Sequence, residues 1–300
     1  MNEKRVSFFA GAGLLAAACI WGFAFVVVKD SLDYIGAIYM LAFRFSIAAA
    51  ALALIFVRSL KLLNASYWKR GAILGALLFF AYALQTVGCD YTTAGKNAFL
   101  TTVYVMLVPL FGWPLYKKFP GGHVFAAAAI SLLGIGLLAL SKSESSLLSI
   151  NFGDALTLGC GVFYALHILY TAKCNIRYDP IVLTVLQFFF AAVFSWIGAF
   201  LFDGAFPVAA VKNTRVIVSM LYLGLFSTMI SFALQNVGLK YVRSSFAALL
   251  LSFESVFGVL FSTVLLHERL TSRMIAGGAL IFFAVVLAET KFDFGSKTKR

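Results

Sequence analysis

Charge is scarce in this sequence. Asp, Glu, Lys and Arg make up 12% of its 300 residues, while 62% are apolar and the mean hydropathy is +0.96. A soluble domain of this length must carry charge on its exterior, so this composition excludes an ordinary soluble fold and points to a lipid surround. Histidine is rarer still: His123, His167 and His267 lie in separate segments, and neither H-E-x-x-H nor a cluster of acids occurs. An intramembrane enzyme built on a metal or paired acids lacks its residues, and no metal or cofactor is expected. No Walker-type G-x-x-x-x-G-K-[ST] is present, which argues against ATP as the energy source. Four cysteines (Cys19, Cys89, Cys160, Cys174) show no C-x-x-C spacing and read as small packing residues. Proline is nearly absent from the apolar runs. Pro109 and Pro114 are the exceptions, and a kink is expected there. The net charge of +12 does not point to nucleic acid, because the basic residues sit singly or in pairs rather than in a stripe interleaved with aromatics.

What is present is a series of apolar runs of spanning length. They predict ten transmembrane helices: Phe8–Val28, Tyr34–Val57, Gly71–Cys89, Asn97–Tyr116, Val124–Leu140, Ala155–Ala172, Ile181–Phe202, Val216–Gly238, Ser245–Leu266 and Met274–Ala288. The runs are continuous rather than alternating, which excludes a β-barrel. Lys4 and Arg5 before the first run resemble the start of a signal peptide, but the uncharged stretch from Ser7 to Val28 is too long for one and reads as a retained helix. Connections are short, the longest being Ser141–Asn151 and Asp203–Thr214, so no extramembrane catalytic domain is expected. With the N-terminus placed in the cytoplasm, sixteen of the 24 Lys and Arg fall on that side, seven on the other, and Arg44 lies within a span. That bias predicts a multi-pass protein of the cell (plasma) membrane with both termini cytoplasmic.

An internal repeat organises the spans. Ala83-Leu84-Gln85-x-Val87-Gly88-x-x-Tyr91 recurs 150 positions later as Ala233-Leu234-Gln235-x-Val237-Gly238-x-x-Tyr241. Spans three to five then correspond to spans eight to ten. Five helices per copy is an odd number, so the second copy must cross in the opposite sense. The expected fold is an all-α polytopic membrane protein of two inverted five-helix repeats, residues 8–140 and 152–289, with a basic cytoplasmic tail at 290–300. Inverted repeats are a mark of secondary transporters, whose solute site lies near the midplane between the halves.

The sequence resembles the drug/metabolite transporter superfamily, in its EamA-type ten-helix branch. The resemblance covers roughly residues 10–289. It rests on Trp21-Gly22, Arg44-Phe45, the two Ala-Leu-Gln…Tyr motifs, Ser252-Phe253-Glu254 and His267-Glu268-Arg269-Leu270. It implies a transporter of small metabolites or drug-like solutes. Two features depart from the family pattern: Ser255 stands where proline often follows the span-nine glutamate, and Lys117-Lys118 replaces an acidic-basic pair.

Eight residues are candidates for contact with a solute: Trp21, Arg44, Tyr82, Gln85, Tyr104, His167, Gln235 and Glu254. Arg44 and Glu254 are the charges expected well inside spans. An unpaired charge at mid-bilayer costs at least about 2.5–3.5 kcal/mol, so both should face the interior and could neutralise one another as a structural pair. Gln85, Asn97, Gln235 and Asn236 could equally be interhelical glue. His167 is expected to share a helical face with Tyr164 and Tyr170, lining a cavity or packing as a satisfied interior histidine. Among 48 aromatics, Trp21, Tyr82 and Tyr104 are the stacking candidates, though most aromatics in such a chain face lipid or core. Lys29 and Lys96 read as snorkelling lysines, His267-Glu268-Arg269 as helix caps, and Gly71-x-x-x-Gly75 as a weak close-packing motif. The expected function is a secondary transporter exporting or exchanging a small metabolite, amino acid or drug-like solute, as a monomer or weak homodimer in lipid. Protons are the candidate coupling ion. A channel or a solute-sensing receptor is the alternative, with an intramembrane enzyme behind both.

Overall fold

The computed structural model describes residues 3–117, 119, 121–139, 151–241 and 244–289. Lys118, Lys142, Arg243, most of the loop expected at 141–151 and the basic tail at 290–300 lie outside the described residues. Among the described residues the chain is helical, with no strand.

Helix starts follow local chemistry. Helix α1 runs Glu3–Ser31 and α2 Ala37–Ile55. Asn64 caps α3 (Ala65–Tyr91), its side-chain oxygen accepting from the amides of Ser66 and Tyr67. Thr93 caps α4 (Ala94–Thr101), and after a break at Thr102–Val103 the chain resumes as α5 (Tyr104–Tyr116). Then come α6 (Gly122–Ala139) and α7 (Phe152–Asn175), the latter opened by a reciprocal capping box between Asn151 and Asp154. Asp179 and Pro180 start α8 (Pro180–Gly198), which continues as a π-helical turn over Ala199–Asp203. A short α9 (Val208–Lys212) leads to α10 (Thr214–Leu221), a π-helical stretch over Tyr222–Ile230 and α11 (Ser231–Tyr241), forming one long rod. Helices α12 (Ser244–Leu265) and α13 (Ser272–Glu289) complete the described chain.

Among the described residues, seven helical runs are long and apolar enough to cross a membrane. Three shorter apolar helices, Gly122–Leu137, Leu250–Leu265 and Ser272–Leu287, stand where the fifth, ninth and tenth spans are expected. Span four is interrupted at Thr102–Val103, whereas Pro109 and Pro114, where the sequence predicts the kink, both sit inside α5.

The repeat motif occurs once on each side of residue 150, at Gln85 and Gln235, and the two segments matched by it interleave. Helix α1 packs on α11 and α12, α3 on α7 and α8, α2 on α8, and α6 on α13. At the α1–α12 crossing the backbones nearly touch: a Cβ on Gly22 would lie 2.4 Å from Cβ of Phe257 and 2.8 Å from the amide of Gly258. Gly71 and Gly75 seat α3 against Leu186 and Phe190 of α8. That small-residue face is therefore occupied within the chain rather than left for a second copy.

Candidate functional site

Residues from both matched segments enclose a cavity of about 270 Å³. All eight sequence candidates line it: Trp21 of α1, Arg44 of α2, Tyr82 and Gln85 of α3, Tyr104 of α5, His167 of α7, Gln235 of α11 and Glu254 of α12. Asn97 and Asn236 join them.

Arg44 is 3% exposed, and it is held by hydroxyls rather than by an acid. Its Nε donates to Thr228 Oγ1 (2.6 Å), and its Nη2 to Ser227 Oγ (2.9 Å) and the Tyr82 hydroxyl (3.3 Å), with the guanidinium 4.4 Å from the Tyr82 ring centroid. Both acceptors on the second segment belong to the π-helical stretch. The i→i+5 repeat there is visible in the side-chain bonds as well, Thr228 Oγ1 donating to the carbonyl of Leu223 and Ser231 Oγ to that of Phe226. The stretch also offers the Ser227 carbonyl to the Trp21 indole N–H at 2.7 Å. π-Helical insertions recur at functional sites because the extra residue per turn re-aims side chains and carbonyls.

Glu254 faces the same cavity, with Tyr104 as its polar side-chain neighbour. No ion pair joins Arg44 to Glu254, so the expected neutralising pair does not form. They are the cavity's one strong cation and one carboxylate among the described residues. Amides and hydroxyls fill the space around them. The Tyr164 hydroxyl donates to Gln85 Oε1 (2.9 Å), Gln85 Nε2 to Thr101 Oγ1 (3.1 Å), and Asn97 Nδ2 to the Gln85 carbonyl (3.0 Å) and Thr157 Oγ1 (2.9 Å). His167 Nε2 meets Gln187 Oε1 at 2.9 Å. Two buried oxygens on the lining, Asn97 Oδ1 and Thr171 Oγ1, have no partner among the described residues. A buried acceptor without a donor costs about 1–3 kcal/mol, which a bound polar solute or water would recover.

Tyr170 departs from the expected cluster and packs with Tyr67, Cys174 and Leu183 instead. Two steps of three residues rotate a side chain about 120° around a helix, off the face of residue 164. The lining follows Tyr164, Ile168, Thr171 and Asn175, at spacings of four, three and four.

Arg44 and Glu254 are not the only charges drawn inside. Lys96 is 9% exposed and Asp154 1%, paired at 2.5 Å, with Asp154 also accepting from Thr92 Oγ1 at 2.8 Å. Lys96 is thus a buried ion-pair partner and not a snorkelling lysine. The sequence boundaries hid this by starting spans four and six just beyond these residues.

The Lys96–Asp154 pair belongs to a set of charged contacts gathered at one face, where α1, α3 and α8 end and α2, α4, α7 and α10 begin. Glu268 places its carboxylate on the first turn of α4, accepting from Ala94 N (2.7 Å) and Gly95 N (3.1 Å). Asp203 does the same for α2, taking the amides of Ile38 and Tyr39, both at 2.8 Å. Each carboxylate closes on a glycine: a Cβ on Gly95 would sit 3.1 Å from Glu268 Oε2, and one on Gly36 2.4 Å from Asp203 Oδ2. Arg215 grips Asp30, and Lys29 Nζ donates to the carbonyls of Cys89 and Asp90, each at 2.8 Å. Apart from the Lys29 contact, these join the first matched segment to the second. At the opposite face the joints among the described residues are neutral or singly charged: the amide of Asp179 donates to the Tyr67 hydroxyl (2.9 Å), and Arg70 covers the Tyr178 ring (4.2 Å). The cavity lining reaches towards that face through Thr171, Asn175, Pro180 and Thr184. Among the described residues, no group of His, Cys, Asp and Glu could hold a metal ion.

Comparison with known proteins agrees with this architecture. An uncharacterized transporter of Archaeoglobus fulgidus is 33% identical over 283 residues, covering 94% of this chain and 86% of its own length. The uncharacterized transporter YvbV of Bacillus subtilis is 26% identical over 285 residues, covering 91% and 88%. A solved crystal structure that is 16% identical matches 93% of this chain and 96% of its own at a TM-score of 0.66, a likeness of fold alone. The model of the EamA-like transporter family matches twice, over residues 9–140 and 151–290. This chain is a multi-pass membrane protein that belongs to the EamA-like transporter family.

Proposed function

We propose that the chain is a secondary transporter that exports or exchanges a small solute by alternating access. In this proposal ten helices cross the bilayer as two inverted units, 8–140 and 152–289, and the cavity between them holds the solute. The observation that carries it is the contrast between the two ends of one cavity. Among the described residues, charged contacts between the matched segments gather at the Asp30 face, while polar side chains line the way to the opposite face. A carrier caught between its two openings has this shape, closed on one side and accessible from the other. The repeated Gln85 and Gln235 motif residues support the pairing of the halves, both facing the same space.

With the more basic loops placed inside, the Asp30 face is the exterior, the membrane is the plasma membrane and both termini are cytoplasmic. A proton is the candidate coupling ion, and it would compete with a cationic solute group for Glu254. Transport in proteoliposomes tests the proposal. Counterflow of labelled metabolites, screened across amino acids and cationic drugs, should saturate and accelerate with solute on the far side. Linear uptake without trans-stimulation would instead indicate a channel.

A further inference from the structure

Resting on that proposed transport site, we infer that the solute is a zwitterion whose cationic and anionic groups stand at the two ends of a chain or ring, rather than on neighbouring atoms. The cavity's single strong cation and single carboxylate are separated by a row of tyrosines. Arg44 lies 4.4 Å from the Tyr82 ring centroid, Tyr82 lies 5.4 Å from Tyr164, and Tyr164 lies 5.8 Å from Tyr104. Tyr104 in turn neighbours Glu254, and both line the cavity. Tyr164 sits between the other two rings, and its own hydroxyl is tied to Gln85 at 2.9 Å, which fixes the middle of the row.

The charges at the ends are poised rather than spent. Three hydrogen bonds hold the Arg44 guanidinium through Nε and Nη2, leaving Nη1 without a partner among the described residues. Every group holding Arg44 is a neutral hydroxyl, so its charge stays uncompensated in a cavity lined largely by apolar atoms. A carboxylate on the solute would meet the remaining guanidinium donors in a charge-assisted contact. At the other end Glu254 meets a phenol and no cation. An ammonium there would pair with the carboxylate and lie near the faces of Tyr104 and Tyr164, which attract cations. A solute with one charge leaves the other protein charge without a partner in a cavity lined largely by apolar atoms, and that penalty selects against it. A solute with adjacent charges reaches only one end of the row.

The probe is 6-aminohexanoate against its isomer norleucine, with hexanoate and hexylamine as single-charge controls. Binding is read on the purified full chain in detergent by thermal shift and by equilibrium dialysis. 6-Aminohexanoate should bind at least about tenfold more tightly than norleucine, hexanoate or hexylamine. Arg44→Gln should erase its advantage over hexylamine, and Glu254→Gln its advantage over hexanoate. Arg44→Lys keeps the charge and serves if the glutamine variant fails to fold; it should retain the preference for a carboxylate. Equal binding of the two isomers, single-charge probes binding as well as 6-aminohexanoate, or no binding by any of the four overturns the inference. Selective binding without any transport would sink the transporter proposal and leave this one standing. Saturable transport of another solute that 6-aminohexanoate does not inhibit would do the reverse.

Discussion

Replacing Glu268 by Gln isolates one charged contact at the sealed face. The carboxylate accepts two backbone hydrogen bonds, from Ala94 and Gly95. A glutamine oxygen can keep one of them, while its NH2 group faces the second amide and leaves that donor unmet, at a cost of about 1–3 kcal/mol. Loss of the negative charge at the start of α4 adds about 0.3–1 kcal/mol. If the contact exists only in the conformation closed at the Asp30 face, the closed-to-open ratio falls by roughly tenfold to several-hundredfold. Cys89 is the natural reporter: it is 1% exposed, lines the cavity, and lies beneath the contact of Lys29 with its carbonyl. In a background with Cys19, Cys160 and Cys174 changed to Ala, an impermeant maleimide applied from the Asp30 face should label Cys89 faster by that factor in Glu268→Gln. Asp203→Asn should act in the same direction. An unchanged labelling rate in a folded Glu268→Gln protein would show that the carboxylate merely caps a helix and holds no gate.

Lys96→Ala and Asp154→Ala should each destabilise the protein by about 3–5 kcal/mol, because each leaves a buried charge without its partner. The double variant should lose less than the sum of the two, as a double-mutant cycle of thermal unfolding in detergent will show. Gly22→Ala drives a methyl group into the α1–α12 crossing, where two of the three nearest atoms are backbone and cannot rotate away. Unfolding should come earlier by about 1–3 kcal/mol. Thr228→Val removes one of the three bonds that hold Arg44, and the same unfolding assay should register a loss of about 1–3 kcal/mol.

The sequence made the polar lining legible because lipid sharpens the signal. In runs this apolar, a charge such as Arg44 or Glu254 stands out, and its cost in hydrocarbon turns it inward. The repeat at offset 150 tied Gln85 to Gln235 for the same reason: glutamine is rare there and alanine is not. What stayed hidden depends on distance or on helix ends. Lys96 and Asp154 sit at the margins of their runs, where a shift of a few residues in the helix start decides between snorkelling and burial. Asp203 looks like a loop acid until folding brings it to the first turn of a helix more than 160 residues earlier, and Glu268, read as a helix cap, caps a helix comparably distant in the chain. The π-helical stretch over Tyr222–Ile230 has no proline or charge to mark it, yet it supplies two of the three oxygens around Arg44. The interruption at Thr102–Val103 likewise has no proline or charge to mark it.

In the proposed fold two halves, threaded in opposite senses, surround one cavity. Single cysteines at Asp33 and Asn213, next to the Arg215–Asp30 contact, and at Asn64 and Arg177, near the opposite joints, test it through labelling with an impermeant maleimide in intact cells and in inverted vesicles. Asp33→Cys and Asn213→Cys should react from one side of the membrane, and Asn64→Cys and Arg177→Cys only from the other. Labelling of Asp33→Cys and Asn213→Cys from different sides would contradict it.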